Sequence, residues 1–290
     1  MPTRIRQDSE DLVFRPDEFP LMITRPDPQQ DLRLHRHAFT ELVLVLAGSG
    51  RHTGPTDAYD LQPGDAFVVS GLHGYAGCRG LFLINILFDA EALALPLAEA
   101  RRLPGWQAFF AIEPALRRHH DFASRLRLDA AGLAQAVTLV EAIEGELASA
   151  RPGARFVAIA HLMRLIDFLA QSYAGRTDTD ARQVLRLGTV LGWMEDHHTE
   201  AIPLARLVRL AGTSERQFLR NFRAATGITP IAWLLRRRLA TASVHLQAGA
   251  SVTAAARAAG FTDPAYFARQ FGRVMGVAPS RWRDLGGAER

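Results

Sequence analysis

The C-terminal third of the chain repeats itself. Ala211-Gly212-Thr213-Ser214, followed by Phe218, Arg220, Phe222, Gly227, Pro230 and Trp233, returns as Ala259-Gly260-Phe261-Thr262, followed by Phe267, Arg269, Phe271, Gly276, Pro279 and Trp282. The offset is 48 residues before the turn and 49 after it, so the second copy carries one extra turn residue. Matching positions held at one period mark a duplicated structural unit. In the first copy Leu204, Leu207, Val208 and Ala211 recur at helical spacing. Gly212 suits the left-handed backbone that ends a helix. Ser214 with Gln217 three residues on reads as a capping box for the next helix, and Phe218 and Phe222, one turn apart, pin that helix to a core. Each copy therefore predicts a helix, a sharp turn and a second helix.

The charges on the second helix of each copy recur with the core residues. Arg216 and Arg220 lie four apart on a stripe separate from the phenylalanines, with Gln217 and Arg223 close by. In the second copy Asp263 reads as the N-cap and Pro264 as the first helical residue, leaving Ala265, Arg269, Gln270 and Arg273 facing outward. Packing alone does not require Arg220 and Arg269 to recur. A basic stripe on the second helix of such a pair suits a DNA major groove, where arginine pairs bidentately with guanine. A plain helical bundle with a solvated arginine face is the competing reading. Net charge favours DNA: residues 182–290 carry 16 arginines against 7 acidic residues, while residues 1–181 have a net charge of −5. Between the copies, Thr229-Pro230 opens a helix running to about Ala248. Twenty helical residues span about 30 Å, close to the ~34 Å between successive groove faces. Arg236-Arg237-Arg238 ride on this helix, as a solvated face or as phosphate contacts.

Residues 188–286 resemble the AraC/XylS-type DNA-binding domain, most closely in GFTDPAYFARQFGRVMGVAPSRWR at 260–283. The resemblance implies two helix-turn-helix subdomains joined by a long helix. It assigns base reading to Arg216 and Arg220, with Gln217 nearby, and to Asp263, Ala265 and Arg269. Ala265 stands where many relatives have Asn or Gln, which reduces what the second subdomain can read.

The N-terminal part has a different pattern. Between Leu32 and Phe88, apolar runs at Glu41–Leu46, Ala66–Val69 and Leu81–Phe88 are separated by Gly48-Ser49-Gly50, Gly54-Pro55 and Pro63-Gly64-Asp65. Short strands with frequent Gly/Pro turns predict a sandwich or barrel. His35, His37 and Glu41 would project to one side of an extended strand. The spacing of HxH, Glu41 and Gly48 resembles the first motif of the cupin barrel family, and Pro63-Gly64-Asp65 with His73 a shortened second motif. Such residues can hold a divalent metal, line a polar ligand pocket, or serve as core histidines. The reading adopted is an effector pocket of His35, His37, Glu41 and His73, with no metal, no cofactor and no catalytic residue. HRHAFTELVLVLAGSGRH, HGY at 73–75, LFLINILF at 81–88 and LPGW at 103–106 resemble the rhamnose-responsive branch of the family, implying a sugar or similar small polar effector.

Residues 129–173 read as two amphipathic helices, with Leu133, Val137, Val140, Ile143 and Leu147 on one and Phe156, Ile159, Leu162, Met163, Ile166 and Leu169 on the other. The expected architecture is α+β: a cupin-like barrel at 1–128, a helical dimerisation segment at 129–173, a linker at 174–181, and an all-α double helix-turn-helix domain at 182–290. The single cysteine, Cys78, excludes an internal disulfide. The chain lacks an apolar run near 18 residues or a signal-peptide pattern, so no membrane association and a cytoplasmic location are expected. The expected function is a transcriptional regulator, an activator, with double-stranded operator DNA, a small-molecule effector, a second copy of the chain and RNA polymerase as partners. A metal-dependent cupin enzyme with a helical C-terminal domain is the alternative.

Overall fold

The structure is a computed structural model that describes residues 5–8, 11–54, 58–69, 71–117 and 125–287. The strands are β1 (Ile5–Asp8), β2 (Asp11–Phe14), β3 (Leu21–Thr24), β4 (Leu32–His37), β5 (Thr40–Thr53), β6 (Ala58–Leu61), β7 (Asp65–Val69), β8 (His73–Phe88) and β9 (Leu126–Arg127). Short helices α1 (Leu97–Ala100), α2 (Pro104–Trp106) and α3 (Glu113–Arg117), with a π-helical turn at Gln107–Ile112, precede the long pair α4 (Ala130–Ala148) and α5 (Ala154–Ala174). Then follow α6 (Thr179–His197), α7 (Leu204–Ala211), α8 (Glu215–Thr226), α9 (Pro230–Gln247), α10 (Val252–Ala258), α11 (Pro264–Met275) and α12 (Pro279–Gly287).

The sheet-rich half is organised by β5 and β8, which pair antiparallel along almost their whole length. Near Glu41–Leu44 this ribbon pairs with β7 on one side and, at Asn85–Phe88, with β3 on the other. Further along it pairs with β6 at Gly50–Thr53 and with β4 at His73–Tyr75. The two strands thus belong to both halves of a folded-over sheet. Three register shifts between Val45 and Arg51 mark the bend. Gly48-Ser49-Gly50, expected as a turn between strands, lies inside β5 instead. A Cβ on Gly48, at φ +79°, would stand 1.8 Å from the carbonyl oxygen of Gly80, so glycine here permits close approach to β8. Val43, Val45, Leu61, Phe67, Tyr75, Leu81 and Leu83 fill the space between the halves.

Helices α4 and α5 pack on each other; α4 buries Ala136, Val140 and Ile143, and α5 buries Ala158, Leu162, Ile166 and Leu169. Phe156 and Met163 depart from the expected apolar face. They lie seven residues apart on a different stripe and point outward, Phe156 being 77% exposed.

Chain contacts divide the molecule into two compact units, 1–188 and 189–290, with the division inside α6. Residues 175–178, within the expected linker, form the turn between α5 and α6. In the second unit the helix ends follow the sequence closely. Thr229 caps α9, Asp263 caps α11 ahead of Pro264, and Gly212, Gly227 and Gly276 end their helices in the left-handed conformation. Ser214 caps α8 by accepting from the Gln217 amide, but the reciprocal half of the capping box is missing. The Gln217 side chain turns away to donate to Asn221 and accept from Arg220. No helix among the described residues is long and apolar enough to cross a membrane.

Candidate functional sites: a helical nucleic-acid interface and a polar chamber

In the first helical pair, Phe218 and Phe222 are fully buried and in ring contact at 5.6 Å between centroids. That anchorage turns the opposite side of α8 to solvent: Arg216, Arg220 and Arg223 are exposed and Gln217 is half-buried. The Nη2 of Arg220 donates to Gln217 Oε1 at 2.6 Å, which steadies the guanidinium without masking its charge. In the second pair Phe267 and Phe271 repeat the anchorage, 5.4 Å apart, and Trp282 closes on Phe271. Asp263, Ala265, Arg269 and Arg273 are exposed. Asp263 spends one carboxylate oxygen on the Ala265 amide, as a cap. Gln270 differs from the outward placement expected of it: it is half-buried, and its Oε1 is covered and without a hydrogen-bond partner.

The arginine run on α9 divides by role. Arg237 pairs with buried Glu195 on α6, and Arg238 donates to the carbonyl oxygens of His198 and Glu200. Both tie the long helix to the end of α6. Arg236 stays exposed.

The histidines and the glutamate of the sheet domain meet, though from three strands. His35 and His37 lie on β4, the chain turns at Ala38-Phe39, Glu41 opens β5 and His73 opens β8. His35 faces His73 across the ladder, with ring centroids 4.2 Å apart. Glu41 Oε2 lies 3.0 Å from His37 Nε2 and 3.6 Å from His73 Nε2. Single donor atoms of His35, Glu41 and His73 all fall within 4.8 Å of one another, a spacing open to a metal ion. Burial, reinforced by His52, His35 and His37, strongly disfavours the charged form of His73 and drives its pKa far down.

Sequence reasoning missed several groups here. His52 Nε2 lies 3.2 Å from His73 Nδ1, and His52 stacks on Tyr59, over whose ring the Arg125 guanidinium sits at 4.6 Å. Asn85, opposite Val43 on the inner face, and Tyr75 bury polar atoms without hydrogen-bond partners. Burial raises the Tyr75 pKa, keeping its hydroxyl protonated. His52 carried no such signal in the sequence: it comes opposite Tyr75, beside His73, only after three register shifts between β5 and β8. A separate cavity of about 290 Å³ lies between residues 96–106 and α5. Its walls include Leu97, Leu103, Trp106, Met163 and Ile166. These suit apolar matter, so the histidine chamber is the better match for a polar ligand.

A family model described as the AraC-like ligand binding domain matches residues 21–166, half of the chain. The chain belongs to the AraC-like family. A helix-turn-helix domain model matches residues 207–284 of this AraC-like protein. Over 291 residues it is 29% identical to the HTH-type transcriptional activator RhaR of Klebsiella pneumoniae subsp. pneumoniae, covering 94% of this chain and 97% of that one. It is 28% identical over 280 residues to RhaR of Escherichia coli O1:K1 / APEC, covering 95% of each. Among solved structures, the DNA-binding domain of AdpA in complex with a target DNA aligns with 36% of this chain and 96% of its own, at 32% identity and a TM-score of 0.35. The AraC-like architecture is that of a transcriptional regulator, with a DNA-binding helix-turn-helix domain following a ligand-binding domain.

Proposed function

We propose that this chain is a sequence-specific transcriptional activator that reads duplex DNA with α8 and α11 and is controlled by a small polar effector held in the sheet domain. The carrying observation is the exposed arginine stripe of α8, Arg216, Arg220 and Arg223, repeated on α11 by Arg269 and Arg273. On this reading Arg216, Arg220 and Arg269 meet base edges, with Gln217, Asp263 and Ala265 beside them, while Arg223, Arg273 and Gln270 frame the contact. His35, His37, Glu41 and His73 line the effector chamber. A sugar fits it, since hydroxyl groups can both donate to and accept from imidazole, carboxylate and amide groups, and the RhaR relatives are named activators. The effector acts by binding one arrangement of the regulator more tightly than the other.

The outward Phe156 and Met163 on α5 support pairing with a second copy through the 129–173 segment. RNA polymerase is the partner an activator needs, and the protein works in the cytoplasm. We assign it no enzymatic activity.

The test is a set of full-length variants on operator DNA selected from a random duplex pool. Arg216→Ala, Arg220→Ala and Arg269→Ala should each cost about 1–3 kcal/mol of operator affinity and relax base choice at one position. Equal loss on every sequence would make them phosphate contacts, and no loss would remove α8 and α11 from the interface.

A further inference from the structure

The apolar cavity against α5 takes no part in the effector reading. Departures from ordinary backbone and packing gather in the segment that walls it. Ala94, just before that segment, has φ +49°, a left-handed conformation unusual for a residue with a side chain. A π-helical turn, Gln107–Ile112, follows directly on Trp106, whose covered Nε1 has no hydrogen-bond partner. Such features are costly and collect at functional sites. Charge selects what can enter. Glu99 and Asp167 line the cavity, and among the described residues no basic side chain does. Glu99 is paired with Arg102 at 3.0 Å. Asp167 is exposed, receives a long 3.4 Å contact from Gln171 and has no arginine partner among the described residues. Apolar walls with an unpaired carboxylate match an apolar body that carries an ammonium group, which can also lie against the Trp106 ring. The same walls repel an anion.

The walling segment is also clamped. A Cβ on Gly105 would overlap the Ala170 carbonyl oxygen on α5, and a Cβ on Gly188 of α6 would overlap the Pro104 carbonyl oxygen. Pro104-Gly105 is therefore a wedge between α5 and α6, with backbone in close approach on both sides. Leu103 and Trp106, the residues flanking the wedge, both line the cavity. We infer that this cavity is a second ligand site, for a small apolar amine, and that its occupancy stiffens the wedge against α6. That helix runs on past Gly188 into the second unit, so the site adjoins the chain's own route between the two units. It needs neither the histidine chamber nor the DNA-reading helices.

The experiment titrates the full-length chain by calorimetry with naphthylethylamine, naphthylethanol and naphthylacetate, which share a ring and differ in charge. The amine should bind best, the alcohol more weakly and the acid least. Asp167→Asn, at an exposed position, should remove the amine's advantage over the alcohol, about three- to fivefold, and leave the alcohol's affinity unchanged. Ala100→Phe, which fills the cavity from a half-buried wall position, should weaken amine and alcohol by at least about tenfold, with circular dichroism matching the native chain. Bound amine should slow amide exchange at 103–112 and around Gly188, and leave α11 as it was. No uptake of the amine, equal uptake of amine and acid, or native binding by Ala100→Phe would overturn the site. Unchanged exchange around Gly188 would overturn the effect on α6. Uptake by the monomer alone, followed by sedimentation over a range of protein concentrations, would assign this face to a second copy and overturn the site as well.

Discussion

Asp65 has no exposed surface, yet its carboxylate accepts from the Gln62 amide and from Arg127 at 2.9 Å in both cases, with Arg125 at 3.8 Å. It binds the start of β7 to β9. Asp65→Ala would leave Arg125 without its counter-charge and free a buried amide, at a cost of about 3 kcal/mol, read as a fall in the urea midpoint of the sheet unit. Pro63-Gly64-Asp65 was visible in the sequence as a turn; the partners of Asp65, some sixty residues away, were not. The same limit governs Arg236-Arg237-Arg238. Their charge is legible, but their division into one free and two structural arginines depends on Glu195, His198 and Glu200, which only the fold brings near. Arg236→Ala should lower the salt dependence of operator binding by about one unit of slope if it meets a phosphate. Arg238→Ala should instead lower the melting temperature of the helical unit. Equal salt slopes for the native chain and Arg236→Ala would place that residue off the DNA.

Among the elements, the helices of the second unit were the easiest to read, because each boundary has its own local chemistry. A Ser, Thr or Asp cap opens α8, α9, α10 and α11, and a left-handed glycine closes α7, α8 and α11. The long strands were harder. Glycine marks a turn and a tight strand bend equally, so β5 looked like two pieces, and only the proximity of Gly48 to Gly80 distinguishes the cases. A related contrast is testable in the helical repeat. Gly260 and Gly276 have φ of +82° and +78°, so alanine meets similar backbone strain at both. A Cβ on Gly260 would also lie 2.3 Å from the Thr199 carbonyl oxygen, whereas Gly276 has open space. Gly276→Ala should cost about 1 kcal/mol. Gly260→Ala should cost at least twice that in denaturant unfolding, and equal costs would show that the segment around Thr199, just after α6, can give way.

Across the whole molecule, the change of charge and pattern near residue 182 told of two parts, while the division itself falls inside α6, where no break in composition announces it. Each unit has its own apolar interior, between the sheet halves in one and around Phe267, Phe271 and Leu246 in the other. Calorimetry of the full chain should therefore show two transitions. A ligand of the chamber present at a hundred times its dissociation constant should stabilise the sheet unit by about 2.7 kcal/mol. Its transition alone should move; a shift of both together would mean that the units unfold as one. The chamber groups sit near the ends of two continuous strands, β5 and β8, and on the adjoining β4, not on the hairpin tips. A descendant of this protein can therefore change its chemical taste by single replacements along that ribbon. Its genomic address, written on separate helices, can stay as it is, so that one promoter passes to a new ligand without being rewritten.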